Sequence, residues 1–441
     1  MNTSFEILHS DERISLLATL AEQFAVRLFL VGGCLRDVVM GRPIQDYDFA
    51  LSGAEEDLPV EFATRSKGRF FWLDRERRQA RVVIGTGAAA VTFDFAPIRG
   101  TDLSDDLSLR DFTINALALP VTKEGGRLLD PLLGLGDLAA GVVRACAAEC
   151  FDDDPLRLLR AVRFAVTLGF AIETETWRKM LTRPQLLERV AGERIRDELF
   201  LILAAPNVAA SLEMLWNSGL LPLIIPGDYR TGESLSNLSG RFAFAAETER
   251  VLEDCECLFP ADRDELAAHL ARPVEGGIPL HSLLKLAAFL SGKDARKQIK
   301  ACADRVRLGT KARAELMVLC DCAVVIPALP ERSAGERILF RFFRDREPCG
   351  PELVILPLAA GLAEPDAADR LVSFYFHDYQ ATAANLLLSG DQVMELLGIG
   401  PGPQLGRILE TLREAESVGQ VTMASEAREF LLKNQLTTAG Q

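Results

Sequence analysis

The sequence predicts an α/β N-terminal region followed by an all-helical remainder, and three observations carry that expectation. Leu28–Val31 is an apolar run of strand length that meets Gly32-Gly33, and a second strand-like segment carries Asp46 and Asp48. Phe70–Leu73, Ala80–Ile84 and Val91–Phe95 read as further short strands, the last alternating apolar and polar residues. From about Pro206 onward the pattern changes to helices broken at Pro222–Gly227, Pro273–Pro279, Pro327–Pro330 and Pro348–Pro351.

Composition sets the bounds. A chain of 441 residues, 49% apolar and 25% charged, can bury a large core and divides into roughly two to four domains. No apolar run approaches the ~18 residues of a membrane span, and no leader-like series opens the chain, so the expected location is cytoplasmic. Nine cysteines include Cys255-x-Cys257 and Cys320-x-Cys322, but there is no Cys-x-x-Cys pair and there are only four histidines. Buried, reduced thiols fit better than a zinc site. A net charge of −14 argues against a wholly basic nucleic-acid binder, yet leaves room for local basic patches that contact phosphates.

In chain order, Leu16, Leu17, Leu20 and Phe24 recur near helical spacing, which predicts a short amphipathic helix packed behind the first strand. Asp46 and Asp48 lie two residues apart on one strand and therefore point to the same face. Two carboxylates beside a glycine turn make a divalent-metal and phosphate site. Mg²⁺ binds through one or two carboxylates plus substrate phosphates, and paired glycines let backbone N–H groups approach phosphate oxygens. Ala54–Ser66 reads as helical. The segment Asp74–Gln79, rich in arginine, joins two strands and suits a mobile loop. Asp94 is the one charged side chain of the Val91–Phe95 strand. Asp106–Ala116 reads as the start of a helix, capped by Asp or Ser ahead of an apolar stripe. Asp154 before Pro155 reads as the N-cap of the next helix, with Leu158, Leu159, Val162 and Ala165 on its buried face and Arg157, Arg160 and Arg163 on another.

The order Gly32-Gly33, Arg36-Asp37, Asp46-x-Asp48 resembles the signature of the polymerase β nucleotidyltransferase superfamily. More narrowly, the chain resembles the class II tRNA nucleotidyltransferases (CCA-adding enzymes) and bacterial poly(A) polymerases. The resemblance is strong over about Leu28–Leu203 and patchier over Asn385–Leu432. It implies an α/β nucleotidyltransferase head of polymerase β type, followed by all-α neck, body and tail domains. Asp94, five residues before Arg99, matches the third carboxylate of that family. Leu109-Arg110-Asp111-Phe112-Thr113-Ile114-Asn115-Ala116 matches its RRDFTxNA motif with leucine in place of the first arginine, which implies that Arg110, Asp111 and Asn115 address the incoming nucleotide. Asp130–Gly134 and Gly136–Leu138 resemble the next motif, read as a hinge leaving the head. Asp153-Asp154-Pro155-Leu156-Arg157 and the following Arg160 and Arg163 resemble the motif that reads the incoming base. A carboxylate accepts from the exocyclic amine shared by cytosine and adenine, and an arginine donates to their ring nitrogen, so Asp154 and Arg157 would select C and A over U and G.

These readings combine into one expectation. Residues 1–145 form the catalytic head, 146–205 the helical neck that selects the base, 206–330 a helical body, and 331–441 a helical tail that binds RNA. The catalytic residues are Asp46, Asp48 and Asp94, with Mg²⁺ on Asp46 and Asp48. The nucleotide-binding residues are Gly32, Gly33, Arg36, Arg110, Asp111, Asn115, Asp154, Arg157, Arg160 and Arg163. The activity is template-independent addition of C, A or both to the 3′ end of tRNA from CTP and ATP. A poly(A) polymerase and an inactive RNA-binding protein on the same fold are the alternatives. Some relatives carry a phosphohydrolase His-Asp pair after a helix like Leu280–Leu290. Here Ser291-Gly292 follows it, so no phosphohydrolase activity is expected.

Overall fold

The structure, a computed structural model, describes residues 11–227, 232–292, 294–324, 335–380 and 386–438. It divides into two compact units, Met1–Val190 and Ala191–Gln441.

The first unit is built on a six-stranded mixed sheet. In chain order it contains α1 (Glu12–Gln23), β1 (Arg27–Val31), α2 (Gly33–Val39), β2 (Asp46–Ser52), α3 (Asp57–Ser66), β3 (Arg69–Asp74), β4 (Gln79–Ile84), β5 (Val91–Pro97), α4 (Leu103–Ser108) and β6 (Ala118–Pro120). The strand order is β3-β4-β5-β2-β1-β6, with β2 and β5 parallel and the other neighbours antiparallel. Alternation along β2 sends Tyr47, Phe49 and Leu51 to one face, where they pack with Phe93, Phe95, Ala80 and Val82. Leu17 and Leu20 of α1 and Leu58 and Phe62 of α3 close this core from outside. The rings of Tyr47 and Phe93 stack at 5.0 Å, and Phe62 meets Phe93 edge-on at 5.0 Å. A fully buried aromatic such as Phe62 is worth about 3–5 kcal/mol against alanine. The opposite face, the one with Asp46 and Asp48, is covered only in part: Val31, Ala50 and Ala118 pack under Leu107 of α4.

Two sequence expectations are corrected here. The stretch expected to start a helix at 106 instead ends one: α4 runs Leu103–Ser108 with Asp102 as its N-cap, and a 3₁₀ turn follows at Thr113–Asn115. The cap lies four residues earlier, at Asp102, because Asp102 sits in extended conformation and its side chain accepts from the Asp105 N–H. Asp154 is likewise displaced from the N-cap position. The chain passes α5 (Gly134–Ala140) and β7 (Val142–Val143), then α6 (Cys150–Asp153), before α7 (Arg157–Leu168) begins. Asp154 ends α6, and its Oδ1 accepts from the Leu156 N–H at 3.2 Å, bridging the turn that leads into α7. The buried face of α7 includes Leu158, Leu159, Val162 and Ala165, as the periodicity predicts. Within Asp130–Leu138, Asp130 accepts from the Gly134 and Leu135 N–H groups, and Asp137 accepts from Thr113 and Arg144.

The second unit is helical over its described residues. Its centre is the helix Leu280–Leu290, buried at every position but His281. Lys285 within it is neutralised by Glu249 at 2.6 Å. A separate cluster of Leu388, Val393, Leu412, Val421 and Leu431 holds the last helices, which open with a capping box at Ser389 and Gln392. His377 Nε2 lies 2.8 Å from a carboxylate oxygen of buried Asp262. The expected break at 327–330 and the division at 330–331 lie outside the described residues. Among the described residues no helix is long and apolar enough to cross a membrane.

Candidate active site

The site is assembled where β1 ends, α2 begins and β2 and β5 run side by side. Gly32 adopts φ +84°, and a Cβ there would fall 3.0 Å from Asp48 Oδ2 and 3.2 Å from an Arg110 guanidinium nitrogen. Glycine is required twice over, for its left-handed conformation and for this approach. Gly33 starts α2, so the turn presents the first N–H groups of a helix.

Parallel register places Asp46 beside Thr92 and Asp48 beside Asp94. Their side chains share the open face of the sheet. The Thr92 hydroxyl donates to Asp46 Oδ1. Asp94 is held by Arg81 of β4, whose Nε and Nη2 each donate to one carboxylate oxygen at 2.6 Å. Burial pushes the Asp48 carboxyl up to about 6, with Asp94 and Asp46 adding to the rise and Arg110 opposing it. Clustered, partly desolvated carboxylates of this kind favour a cation.

The arginines and polar groups on the other flank form a connected chain. Arg36 is gripped by Asp37 at 2.8 Å and donates to Asn115 Oδ1 at 2.7 Å. Asn115 donates in turn to Asp111 Oδ1 at 3.1 Å, and Arg160 of α7 donates to Asp111 Oδ2 through Nε at 2.9 Å and Nη2 at 2.6 Å. Burial raises the Asp111 carboxyl, but the Arg160 charge and the bonds from Asn115, Arg160 and the Phe112 N–H outweigh it and hold it below its ordinary value. Arg110 pairs with buried Asp106, which Arg99 holds from the other side at 2.8 Å. A cleft of about 500 Å³ opens here, floored by Ala50 and Ala96 and lined by Arg77, Arg99 and Arg110. Arg157 donates to the Leu109 carbonyl at 2.7 Å and the Cys150 carbonyl at 3.2 Å, so it bridges the motif around Arg110 to α6. Arg163 lies 4.0 Å from the Phe164 ring centroid, the ring that Arg36 and Arg160 also approach.

The structure therefore brings Gly32, Gly33, Asp46, Asp48, Asp94, Arg110, Asp111, Asn115, Arg36, Arg157 and Arg160 into one neighbourhood. Asp154 stands at the turn before α7, and Arg163 on that helix beside Phe164. Sequence reasoning missed Arg81, Asp106 and Thr92. Arg81 had a signal: it lies between Ala80 and Val82, both on the core face, which sends it to the face of Asp94.

Among the described residues no three carboxylate, thiolate or imidazole groups converge as a closed metal cage. Asp46 and Asp48 still fit a hard divalent cation that arrives with a triphosphate, because Mg²⁺ takes only one or two carboxylates and fills its remaining positions with phosphate and water. Asp94 can join them only by exchanging Arg81.

Comparison with known proteins agrees with this geometry. Residues 28–144 match the family described as Poly A polymerase head domain, and 169–227 match the probable RNA and SrmB-binding site of polymerase A. The chain is 40% identical over 427 residues to the CC-adding tRNA nucleotidyltransferase of Geobacter sulfurreducens, covering 96% of each. It is 34% identical to the A-adding tRNA nucleotidyltransferase of Deinococcus radiodurans, covering 91% of this chain and 94% of that one. The fold matches the Thermotoga maritima CCA-adding enzyme complexed with tRNA, with a TM-score of 0.63 at 24% identity and 97% coverage of both chains. It also matches a CCA-adding enzyme complexed with ATP, with a TM-score of 0.66 at 23% identity, covering all of this chain and 97% of that one.

Proposed function

This chain belongs to the tRNA nucleotidyltransferase family, and from that premise we propose that it adds C, A or both, without a template, to the 3′ end of tRNA. CTP and ATP are the donors. The terminal 3′-hydroxyl loses its proton to solvent as its oxygen forms a bond to the α-phosphorus, the bond from that phosphorus to the bridging oxygen breaks, and pyrophosphate leaves with that oxygen and the electron pair. The observation that carries the reading is Asp48, on an open sheet face in register with Asp94, touching the Gly32 turn on its other side.

In this reading Asp46 and Asp48 hold a divalent metal, Mg²⁺, with Asp94 completing the set; when bound it supplies Lewis-acid stabilisation of the attacking hydroxyl and of the pyrophosphate. Backbone N–H groups of the Gly32-Gly33 turn and the guanidinium groups of Arg36 and Arg110 receive the triphosphate. Asp111 and Asn115 fix Arg160 and Arg36 for that task by the hydrogen bonds described above. Asp154 and Arg157 present an acceptor and donors to the base. Arg157 is already anchored by two carbonyls, so little ordering cost remains when C or A is bound.

The 40% identical relative, a CC-adding enzyme, favours C as the nucleotide added. The same reading divides the chain at 145–146, 205–206 and 330–331 into head, neck, body and tail, and puts the reaction in the cytoplasm with tRNA and nucleoside triphosphates. The test offers tRNA transcripts lacking one, two or all three of the terminal C, C and A, alongside an unstructured oligonucleotide, each with CTP and ATP. Extension of the transcripts by C or A is expected. Long A-tails on the oligonucleotide with no preference for tRNA would replace this reading with a poly(A) polymerase, and no incorporation at all would make the protein an inactive RNA binder.

A further inference from the structure

The sheet face that carries the carboxylates continues across β4 to the edge strand β3, and the register can be followed residue by residue. Val31, Asp48, Asp94, Arg81 and Phe71 form one row across five strands. The neighbouring row runs Asp46, Thr92, Val83 and Arg69. Along β3 Phe70 and Trp72 pack against the core, whereas Arg69 and Phe71 face out on the side of the carboxylates; the register with β4 shifts between Trp72 and Asp74. Phe71 is 43% and Leu73 48% exposed. The same face over β1, β2 and β6 is roofed by Leu107 of α4.

The two sides of the carboxylate row are chemically unlike. On the β1 side stand Gly32, Arg110 and, through Asp111, Arg160, the groups already given to the nucleoside triphosphate. In-line transfer requires the attacking hydroxyl and the leaving pyrophosphate on opposite sides of the α-phosphorus. With those groups on the β1 side, the β4–β3 side of Asp48 and Asp94 is left for the RNA end. What it meets there is an exposed aromatic ring and two arginines, the combination that holds single-stranded nucleic acid by stacking its bases and contacting its phosphates.

We propose that the outer face of β3 is the platform for the 3′ end of tRNA, with the base of a terminal nucleotide stacked on Phe71 and its phosphates met by Arg69 and Arg81. Phe71 lies two strand spacings from Asp94, about 10 Å, so a base on this ring leaves the adjoining 3′-hydroxyl within reach of the carboxylates. Arg81 links the two: its pairing with Asp94 loosens when an RNA phosphate competes for the guanidinium. This inference rests on the nucleotidyltransferase reading but concerns the RNA side of the site alone.

The test compares Phe71→Ala, Phe71→Trp and wild type, using tRNA transcripts that end in 2-aminopurine, whose fluorescence is quenched by stacking. The wild type and Phe71→Trp are expected to quench the label on binding, and Phe71→Ala to bind on the order of tenfold more weakly with the label left bright. KM for tRNA should rise in Phe71→Ala by a similar factor while KM for CTP stays unchanged. Melting curves of the variants control for folding, which an exposed side chain should not disturb. Equal quenching and equal KM for tRNA in Phe71→Ala would overturn the platform while leaving the reaction intact. Phe71-dependent quenching in a wild type that incorporates no nucleotide would keep the platform and reject the reaction.

Discussion

Both units of this protein cluster acids, and the two clusters differ in how far they are buried and in what surrounds them. In the first unit Asp48 sits beside Asp94 and Asp46, with Arg110 close to Asp48 and Arg81 on Asp94, and the cluster faces the open side of a sheet. In the second unit Glu315 and Glu352 are fully enclosed. Arg272 reaches both at 3.2–3.4 Å, His269 closes on Glu352 at 2.7 Å, and the rings of Tyr375 and Phe376 pack against that histidine. Burial raises the Glu315 carboxyl, as it does that of Asp48, with Arg272 opposing in the same manner. A raised carboxylate is thus shared by both clusters and identifies neither as functional. The distinguishing feature is the unfilled side: the first cluster faces an opening, and the second is closed in around Arg272 and His269.

The contrast is sharpest for Asp48→Ala. Loss of several kcal/mol of charge stabilisation, about 4, corresponds to on the order of 10³-fold in incorporation of labelled CTP. The melting temperature should hold or rise, since a desolvated carboxylate is removed. Substantial residual incorporation would break the assignment.

Glu352→Ala is the mirror case. It leaves Arg272 facing an incomplete set of acids inside the second unit, and truncating one partner of a buried pair costs about 3–5 kcal/mol. Thermal melting should report that loss, while KM for CTP is unaltered; a change in KM for CTP with an unchanged melting curve would give this cluster a role at the nucleotide.

Asp111→Ala should combine both kinds of effect at smaller size. The side chain of Arg160 is 32% exposed and can turn to solvent, which discounts the stability cost to about 2 kcal/mol. KM for CTP should rise because Arg160 and Asn115 lose their common anchor. An unchanged KM would show that this chain of hydrogen bonds only holds the fold.

The smallest effect is in pH dependence. Asp111 has a folded pKa depressed below its unfolded value, so its contribution to stability is present above the ordinary carboxylate range and is lost as pH falls through the depressed value. Melting of the wild type from pH 6 downward should therefore decline more steeply than that of Asp111→Asn. Parallel curves would remove Asp111 from the acid-sensitive groups. Glu315 has the opposite sign: its raised pKa costs stability as pH climbs past the unfolded carboxylate value, and Glu315→Gln should flatten that slope.

What the sequence determined alone is local and periodic. Alternation in β2 put Asp46 and Asp48 on one face, the apolar run of Leu28–Val31 gave β1, and Gly32 was legible because a turn beside two carboxylates needs a residue without a side chain. The run of leucine, alanine and phenylalanine in Leu280–Leu290 was apolar enough to signal a buried helix, but it did not signal the Glu249 partner that its Lys285 finds there. Tertiary structure decided everything that depends on register between distant strands or on a partner far away in the chain. Nothing near Asp94 in sequence says that Arg81 will hold it, because the pairing is set by how β4 lies against β5. The helix expected at Asp106 was placed wrongly since both Asp102 and Asp106 can cap; the fold chose Asp102 and used Asp106 to hold Arg99 and Arg110 instead. Asp111 and Arg160 lie 49 residues apart and meet only because α7 packs beside the motif. Short-range rules fix which way a side chain points, and only packing fixes what it points at.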